Sequence, residues 1–248
     1  MKQKITLFIG ILALSIFVYS FSLKESVLDD SFVIVELYTS QGCSSCPRAD
    51  KVLEQIAENF KEKNVFPLSF HVDYWDRLGW KDTFSKHEYS QRQYNYGQRF
   101  RNPSVYTPQM IVNGVSEFNG GDQSKAFGLI NKGLKTKLSV KLSGKINNLG
   151  NTLPIDFAVS EAIFDEYTIN AVLVKNKEKV SIKRGENSNK QIVYHNIVID
   201  LKTINASKNG RVTLKKPKDY NKENYTIVLF LQENNNGPII SATKLGHS

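Results

Sequence analysis

The sequence is poor in cysteine and tryptophan, with two of each among 248 residues. It also lacks internal repeats, low-complexity tracts, arginine-rich blocks and nucleic-acid-binding motifs, so we expect no nucleic-acid partner. A four-ligand zinc site is disfavoured because there is no second cysteine pair and the four histidines are scattered. The formal net charge of +9 favours an anionic surface or an acidic partner, or else reflects a solvated lysine-rich surface. The spacing of the two cysteines is the most informative feature that remains.

The two cysteines, Cys43 and Cys46, lie between an apolar run and an amphipathic pattern. The run Phe32–Tyr38 is typical of a buried strand, and apolar residues recur at helical steps from Ala49 to Phe60. Pro47 fits the first turn of the predicted helix. A helix N-terminus stabilises a thiolate, so we expect Cys43 to be the nucleophile and Cys46 the resolving thiol. The alternative is an inert disulfide, although so short a loop restrains little of the unfolded chain.

The first residues have the pattern of a secretory signal. Lys2 and Lys4 precede an apolar stretch from Ile5 to Phe21, and the small residue Ser22 follows. We expect residues 1–22 to be a cleaved signal peptide or a retained N-terminal anchor that attaches the protein to a membrane. Either way the rest of the chain is predicted to be secreted or periplasmic. In that oxidising compartment the cysteine pair would rest as a disulfide.

A second signature follows the predicted cysteine helix. Val65–Val72 is a second apolar strand, and Asn113-Gly114 between two apolar runs predicts a hairpin. Thr107-Pro108 stands immediately before this hairpin, and Asp122 can cap the helix after it. The predicted order is strand, CxxC, helix, strand, insert, Thr-Pro, hairpin and helix.

This order resembles the thioredoxin superfamily, in which a cis proline before the hairpin packs against the CxxC pair. The resemblance assigns that role to Pro108 and makes the backbone of Thr107 the partner of an extended substrate strand. It also implies a buried acid that exchanges a proton with the resolving cysteine. Glu36 is the candidate on the first strand, one residue further from Cys43 than the usual spacing. A Glu36 that faces solvent would have no such role.

The insert at 74–104 is rich in aromatic residues and contains both tryptophans, Trp75 and Trp80. In a thioredoxin-like fold it would stand near the active-site face, where the tryptophans could contact substrate. It is either a cap over the cysteines or a packing module that fills a small extra core. His71 and Asp73 end the preceding strand, and a weaker hypothesis makes them metal ligands together with the cysteines.

Several segments together resemble one family more closely than the superfamily at large. The protein is similar to secreted bacterial thioredoxin-like proteins grouped as domain of unknown function 1223. This resemblance implies a secreted thioredoxin-like fold and leaves the substrate and partner unassigned. The segments that carry it are Thr39–Pro47, His71–Asp76, Leu78–Asp82, Tyr106–Met110 and Arg184–Asn187.

The second half has about seven runs of period-two alternation separated by polar turns, which predicts an antiparallel β-sandwich. The predicted fold class is therefore an α/β thioredoxin-like N-terminal domain with an aromatic-rich insert, followed by an all-β antiparallel sandwich. The domain boundaries are 31–136 and 137–248. The Arg184–Asn187 loop is expected either to touch the redox domain or to form a turn.

The sequence favours a thiol–disulfide oxidoreductase that needs no cofactor and acts on a protein thiol or disulfide, with a separate redox partner. Ser44 and Ser45 could donate hydrogen bonds to a Cys43 thiolate and so shift the reduction potential. One alternative is an envelope-binding module that keeps the scaffold without turnover. A weaker alternative is a Cu(I) carrier that uses Cys43, Cys46 and His71.

Overall fold

The computed structural model describes residues 31–138, 140–147, 150–161 and 165–246. The predicted signal segment, 1–22, lies outside the described residues. No helix in the described part of the chain is long and apolar enough to cross a membrane. Residues 31–248 form one compact unit of mixed α/β structure, which confirms the predicted α/β character.

The first half of this unit alternates strands and helices, and the second half contains strands. The first half contains β1 (Val33–Thr39), α1 (Cys46–Asn59), β2 (Val65–His71), a 3₁₀ helix (Asp76–Leu78), α2 (His87–Arg99), β3 (Gln109–Val112), β4 (Ser116–Asn119) and α3 (Gln123–Gly133). The second half contains β5 (Leu142–Ile146), β6 (Thr152–Val159), β7 (Tyr167–Ser181), β8 (Gln191–Asn205), β9 (Asn209–Lys215), β10 (Tyr225–Glu233) and β11 (Ile239–Leu245).

One sheet runs through both halves of the chain. Its eight strands have the order β11-β10-β7-β8-β2-β1-β3-β4, and β5, β6 and β9 form a separate three-stranded sheet. The halves join where β8 pairs in parallel with β2, at Ser69 and Ile197. The structure thus merges the strands of the two predicted domains, and four strands of the second half continue the sheet of the first.

The central strands of the second half are apolar on both faces, which explains this merger. Val172 of β7 belongs to the core beneath α2, whereas its neighbours Ala171 and Leu173 pack against the three-stranded sheet. Strands of this kind need cover on both sides, as in sheets with layers on both faces. One face of the large sheet is covered by the insert. The other face is covered by α1 and α3 over the first-half strands and by the small sheet over the second-half strands.

Strand β1 lies in the middle of the first-half strands, and all seven of its residues are buried. Its side chains alternate between two cores, as the pleat of a strand requires. Val35 and Leu37 face α1 and α3, while Ile34 and Tyr38 face the aromatic residues of α2. This alternation decides which polar side chains can approach the cysteines.

The predicted Asn113-Gly114 hairpin and the predicted helix cap at Asp122 are both present. Asn113 and Gly114 have φ angles of 48° and 68°, as a tight hairpin turn requires. The Asn113 side-chain oxygen accepts a hydrogen bond from the Ile34 backbone N–H at 2.7 Å, and its backbone carbonyl accepts one from Ile239. The Asp122 carboxylate accepts a hydrogen bond from the backbone N–H of Lys125 in the first turn of α3. The hairpin tip therefore ties β1 to the second half of the chain.

Candidate redox site

The two cysteines form a disulfide at the start of α1, with their Cα atoms 5.4 Å apart. Cys46 is the first helical residue, and Pro47 occupies the first turn as predicted. The Ser45 hydroxyl oxygen lies 3.4 Å from the Cys43 sulfur, a distance at which it can donate a weak hydrogen bond. The strand before the pair and the helix after it hold the disulfide at the carboxyl end of β1.

Both cysteines are covered: Cys43 is 1% exposed and Cys46 is fully buried. Part of the cover comes from the β7–β8 connection in the second half of the chain. The Asn187 side-chain amide, itself buried, donates to the carbonyl of Cys43 at 2.8 Å, and the Glu186 carboxylate accepts from the Ser44 N–H at 2.9 Å. Hydrogen bonds from the side chain and the backbone N–H of Ser44 lower the pKa of Glu186. The Arg184–Asn187 loop therefore contacts the cysteine loop.

The insert supplies the rest of the cover. Trp75 packs against Gly42, and its indole N–H donates to the Thr107 hydroxyl at 2.8 Å. The Trp80 indole N–H donates to the Gln41 side-chain oxygen, also at 2.8 Å. The two tryptophans thus bracket the loop that precedes the disulfide. Farther along the insert, Tyr89 and Tyr96 of α2 are fully buried in the core.

The predicted cis peptide bond between Thr107 and Pro108 is present. Pro108 lines an open cleft of about 620 Å³ together with Ser45, Arg48 and residues at the start of α3. Gly120 packs against Pro108, and a side chain at this glycine would collide with neighbouring core atoms. The cleft adjoins both the proline and the cysteine loop, because Ser45 lies between the two cysteines.

Glu36 does not lie beside the cysteines. Its side chain points to the face of the sheet that α2 covers, whereas the disulfide heads α1 on the other face. There the carboxylate accepts two hydrogen bonds from Arg92, at 2.8 and 2.9 Å, and one each from Tyr38 and Tyr96. Glu36 is fully buried as predicted, but the predicted exchange of a proton with Cys46 does not fit its position. Side chains alternate between the two faces along β1, and Glu36 is one residue away from the usual position of such an acid. Its side chain therefore faces away from the disulfide.

Asp50 is the acid that the structure places near the disulfide. It is one helical turn after Cys46 on the same buried face of α1, and the Thr39 hydroxyl donates to its Oδ1 at 2.9 Å. Burial raises the pKa of Asp50 to about 7, against the opposing effects of His71 and of the Thr39 hydrogen bond. The sequence analysis missed this residue. Its four-residue spacing from Cys46 and its apolar neighbours indicate that it lies on the same buried face of the helix as Cys46.

His71 and Asp82 form a buried pair next to this acid. The His71 Nδ1 and Asp82 Oδ2 atoms are 2.7 Å apart, and both side chains are fully buried. Burial lowers the pKa of His71, but the charge and hydrogen bond of Asp82 together with the charges of Asp50 and Asp76 raise it more, so the net pKa lies above the ordinary value. Asp73, the other predicted strand-end ligand, binds Ser90 and His87 instead. Over the described ranges, no group of three histidine, cysteine or acidic residues is arranged to hold a metal ion.

The fold and site define a mixed α/β protein with a disulfide-bonded CxxC pair at a helix N-terminus, a nearby cis proline and a cover from two loops. The chain belongs to the family described as protein of unknown function (DUF1223), whose sequence profile matches residues 34–232. Comparison with curated proteins finds no match.

Two solved structures resemble the chain over most of its length. A crystal structure of a protein from Agrobacterium tumefaciens is 28% identical and superposes with a TM-score of 0.66, over 87% of this chain and 97% of that one. HBP35 of Porphyromonas gingivalis is 16% identical, with a TM-score of 0.59 over 87% of this chain and 75% of that one. The second likeness concerns the fold alone.

Proposed function

We propose that the protein is a thiol–disulfide oxidoreductase that works outside the cytoplasm on protein thiols or disulfides. In this proposal residues 31–136 act as a thioredoxin-like unit, and the second-half strands with the small sheet form a sandwich-like support. The observation that carries the proposal is Asp50. A buried acid with a pKa of about 7 one turn behind a CxxC disulfide suits proton transfer at neutral pH.

The reaction is a two-electron exchange in two steps. The Cys43 thiolate attacks one sulfur of a substrate disulfide, so a mixed disulfide forms and the first substrate thiolate leaves. The Cys46 thiol then gives its proton to the Asp50 carboxylate, attacks the Cys43 sulfur and releases the second substrate thiolate. The substrate disulfide is reduced and the Cys43–Cys46 disulfide is formed. The same steps in reverse oxidise a substrate dithiol.

The start of α1 prepares Cys43 for this chemistry. The helix dipole favours negative charge at its N-terminus, and the Ser45 hydroxyl is placed to donate to the Cys43 thiolate. The Glu186 carboxylate opposes both effects because it brings negative charge to the Ser44 N–H. Displacement of Glu186 would therefore both uncover Cys43 and stabilise its thiolate.

The substrate would approach along the cleft beside Pro108. Asn187 donates to the Cys43 carbonyl and Trp75 packs against Gly42, so attack on Cys43 would require these contacts to shift. We propose that the Arg184–Asn187 loop and the two tryptophans act as the cap, with Trp75 and Trp80 contacting the bound substrate.

A second candidate is a binding module in which the disulfide is structural. The near-complete burial of Cys43 and Cys46 favours it, because exchange needs an accessible sulfur. In that case the disulfide would fix the loop against which the insert and Asn187 pack. A Cu(I) carrier has less support, since no group of three histidine, cysteine or acidic residues in the described part of the chain is arranged to hold a metal ion.

Trapping of mixed disulfides separates the two candidates. A Cys46→Ser variant, exported in a bacterial host, should accumulate covalent adducts through Cys43 that dithiothreitol releases. The control is the double Cys43→Ser, Cys46→Ser variant, which should accumulate none. Equal yields from both variants, together with a disulfide that resists millimolar glutathione in the native protein, would establish the binding module instead.

A further inference from the structure

Four buried side-chain polar atoms have no hydrogen-bond partner among the described residues: Asp50 Oδ2, His71 Nε2, the Tyr194 hydroxyl and the Ser69 hydroxyl. The first three belong to neighbouring side chains. His71 is fully buried, Tyr194 is 1% exposed and Asp50 is 8% exposed. Buried polar atoms are almost always hydrogen-bonded, and a buried water commonly satisfies about three of them at once.

The backbone brings these three side chains to one place. Thr39 and His71 are register partners on the parallel strands β1 and β2, and both side chains face α1. Because the Thr39 hydroxyl donates to Asp50 Oδ1, the Asp50 carboxyl is held on the His71 side of the sheet. The rings of His71 and Tyr194 meet edge to face, with centroids 5.0 Å apart. Tyr194 comes from β8, so the second half of the chain completes the cluster.

The Asp82 carboxylate determines which atom of His71 faces this cluster. In a neutral His71, Nδ1 carries the proton that Asp82 accepts, which leaves Nε2 to accept a hydrogen bond from the cluster side. A protonated His71 donates from both nitrogens. Asp82 Oδ2 also accepts from the Gln41 backbone N–H at 2.7 Å, which links the pair to the cysteine loop.

We propose that Asp50, His71 and Tyr194 bind one internal water molecule, and that this water carries protons between Asp50 and the His71–Asp82 pair. The proposal deepens the proposed function, on which its role in exchange rests, because it gives the proton of Cys46 a further acceptor beyond Asp50. His71 would be a proton-relay residue, and Tyr194 a positioning residue for the water. The titratable groups around Asp50 are His71, Tyr194, Asp82 and the reduced cysteines.

The relay can be tested in the oxidised protein, without any turnover. The Asp50 carboxyl is titrated by carbon-13 NMR in the native protein and in the His71→Gln, Asp82→Asn and Tyr194→Phe variants. His71→Gln removes a positive charge near Asp50, so the proton affinity of Asp50 should rise at least tenfold. Asp82→Asn weakens the protonation of His71, which favours the protonated Asp50, but it also removes the repulsion by the Asp82 carboxylate, so we expect a smaller rise than in His71→Gln. Tyr89→Phe is the matched control, because the Tyr89 hydroxyl donates to the Val198 carbonyl instead of facing the cluster.

The water is tested separately by oxygen-17 relaxation dispersion, with the native protein compared with Tyr194→Phe and Tyr89→Phe. We expect one long-lived water to be lost in Tyr194→Phe and kept in Tyr89→Phe. Unchanged titration of Asp50 in His71→Gln, or the same count of long-lived waters in all three proteins, would overturn the proposal. Neither result depends on exchange activity, so a failure of the proposed function would be recognised separately by the absence of trapped adducts.

Discussion

Two buried polar clusters lie on opposite faces of the same first-half strands, and they differ in how completely they are hydrogen-bonded. On the α2 face, Arg92 donates to Glu36 and to Gln232, and Tyr96 also donates to Glu36. On the α1 face, Asp50 and His71 each have one bonded atom and one without a partner among the described residues. We call the first, around Glu36 and Arg92, the closed cluster. We call the second, around Asp50 and His71, the open cluster, because its unpartnered atoms could bind a further molecule or proton.

The difference separates a cluster that stabilises the fold from a cluster that suits proton transfer. A buried ion pair whose two carboxylate oxygens are both hydrogen-bonded holds elements together, and here it ties β1 to α2 and, through Gln232, to β10. An incompletely bonded buried acid with a pKa of about 7 is unfavourable for stability and typical of a functional site. We therefore expect disruption of the first cluster to unfold the protein and disruption of the second to change its pH dependence.

The largest effect is expected from breaking the closed cluster. Arg92→Leu leaves the Glu36 carboxylate buried without its cation, which should lower the free energy of unfolding by about 3–5 kcal/mol. Urea denaturation at pH 7 measures the loss. The double Glu36→Leu, Arg92→Leu variant removes both charges and should recover part of the stability. If the single variant is as stable as the native protein, the closed cluster has no structural role.

Substitution in the open cluster, at Asp50, should raise the free energy of unfolding at high pH, where substitution in the closed cluster lowers it. Asp50 is protonated up to about pH 7 in the folded protein but ionises near 3.8 when unfolded. Its contribution to stability is therefore present at low pH and is lost as pH rises toward 7, by up to about 4 kcal/mol. An asparagine does not ionise, so the stability of Asp50→Asn should not fall over this pH range. This variant should therefore become more stable than the native protein at pH 8.

Denaturation of both proteins at each unit from pH 4 to pH 8 measures this difference. The control is Asp156→Asn, because Arg211 lowers the pKa of the exposed Asp156, so its contribution is lost only below about pH 4 and should stay constant over this range. A difference between native protein and Asp50→Asn that is the same at every pH would show that Asp50 is ionised throughout.

A smaller effect is expected from the cap over the disulfide. Asn187→Ala removes two hydrogen bonds, to the carbonyls of Gln41 and Cys43, and should loosen the cysteine loop. We expect dithiothreitol to reduce the disulfide about tenfold faster, which is about 1.4 kcal/mol in the barrier. Ser188→Ala is the control in the same loop, since the Ser188 hydroxyl donates to Lys183 away from the cysteines. Equal rates in both variants would mean that the loop does not restrict access.

The smallest effect is expected at Ser45. Ser45→Ala removes the hydroxyl that lies 3.4 Å from the Cys43 sulfur, so the reduced protein should lose a weak hydrogen bond to the thiolate. We expect the pKa of Cys43 in the reduced protein to rise by less than about one unit. Thiolate absorbance at 240 nm measures the shift, and Ser44→Ala provides the comparison on the other serine. A rise in the pKa of Cys43 as large as the loss of an ion pair would cause would contradict the interpretation of this contact as a weak hydrogen bond.

Local patterns in the sequence were sufficient for the features that depend on neighbouring residues. The Cys43–Cys46 spacing, the helix after it and the Asn113-Gly114 hairpin are all present, and each depends on a few consecutive residues whose backbone preferences agree. The cis Thr107-Pro108 bond is also present, and it is the family resemblance that implies it.

Features that depend on the sheet could not be derived in the same way. A strand buried on both faces does not reveal which side an acid faces, so the sequence offers Glu36 as the acid near the cysteines and does not single out Asp50. The contact of Tyr194 with His71 requires β8 to pair with β2, a long-range pairing that no local pattern specifies. The contact of Asn187 with the cysteine loop likewise depends on the long-range packing of the second half of the chain against the first.

The most direct test of the account is the rate at which Cys46 resolves a mixed disulfide on Cys43, followed from pH 5 to pH 9. A mixed disulfide with a small thiol, prepared on the reduced protein, is followed by release of that thiol in the native protein and in Asp50→Asn. We predict a native rate that rises through a midpoint near pH 7, and an Asp50→Asn rate at neutral pH at least tenfold lower without that midpoint. Superimposable profiles for the two proteins would contradict the claim that Asp50 accepts the proton of Cys46.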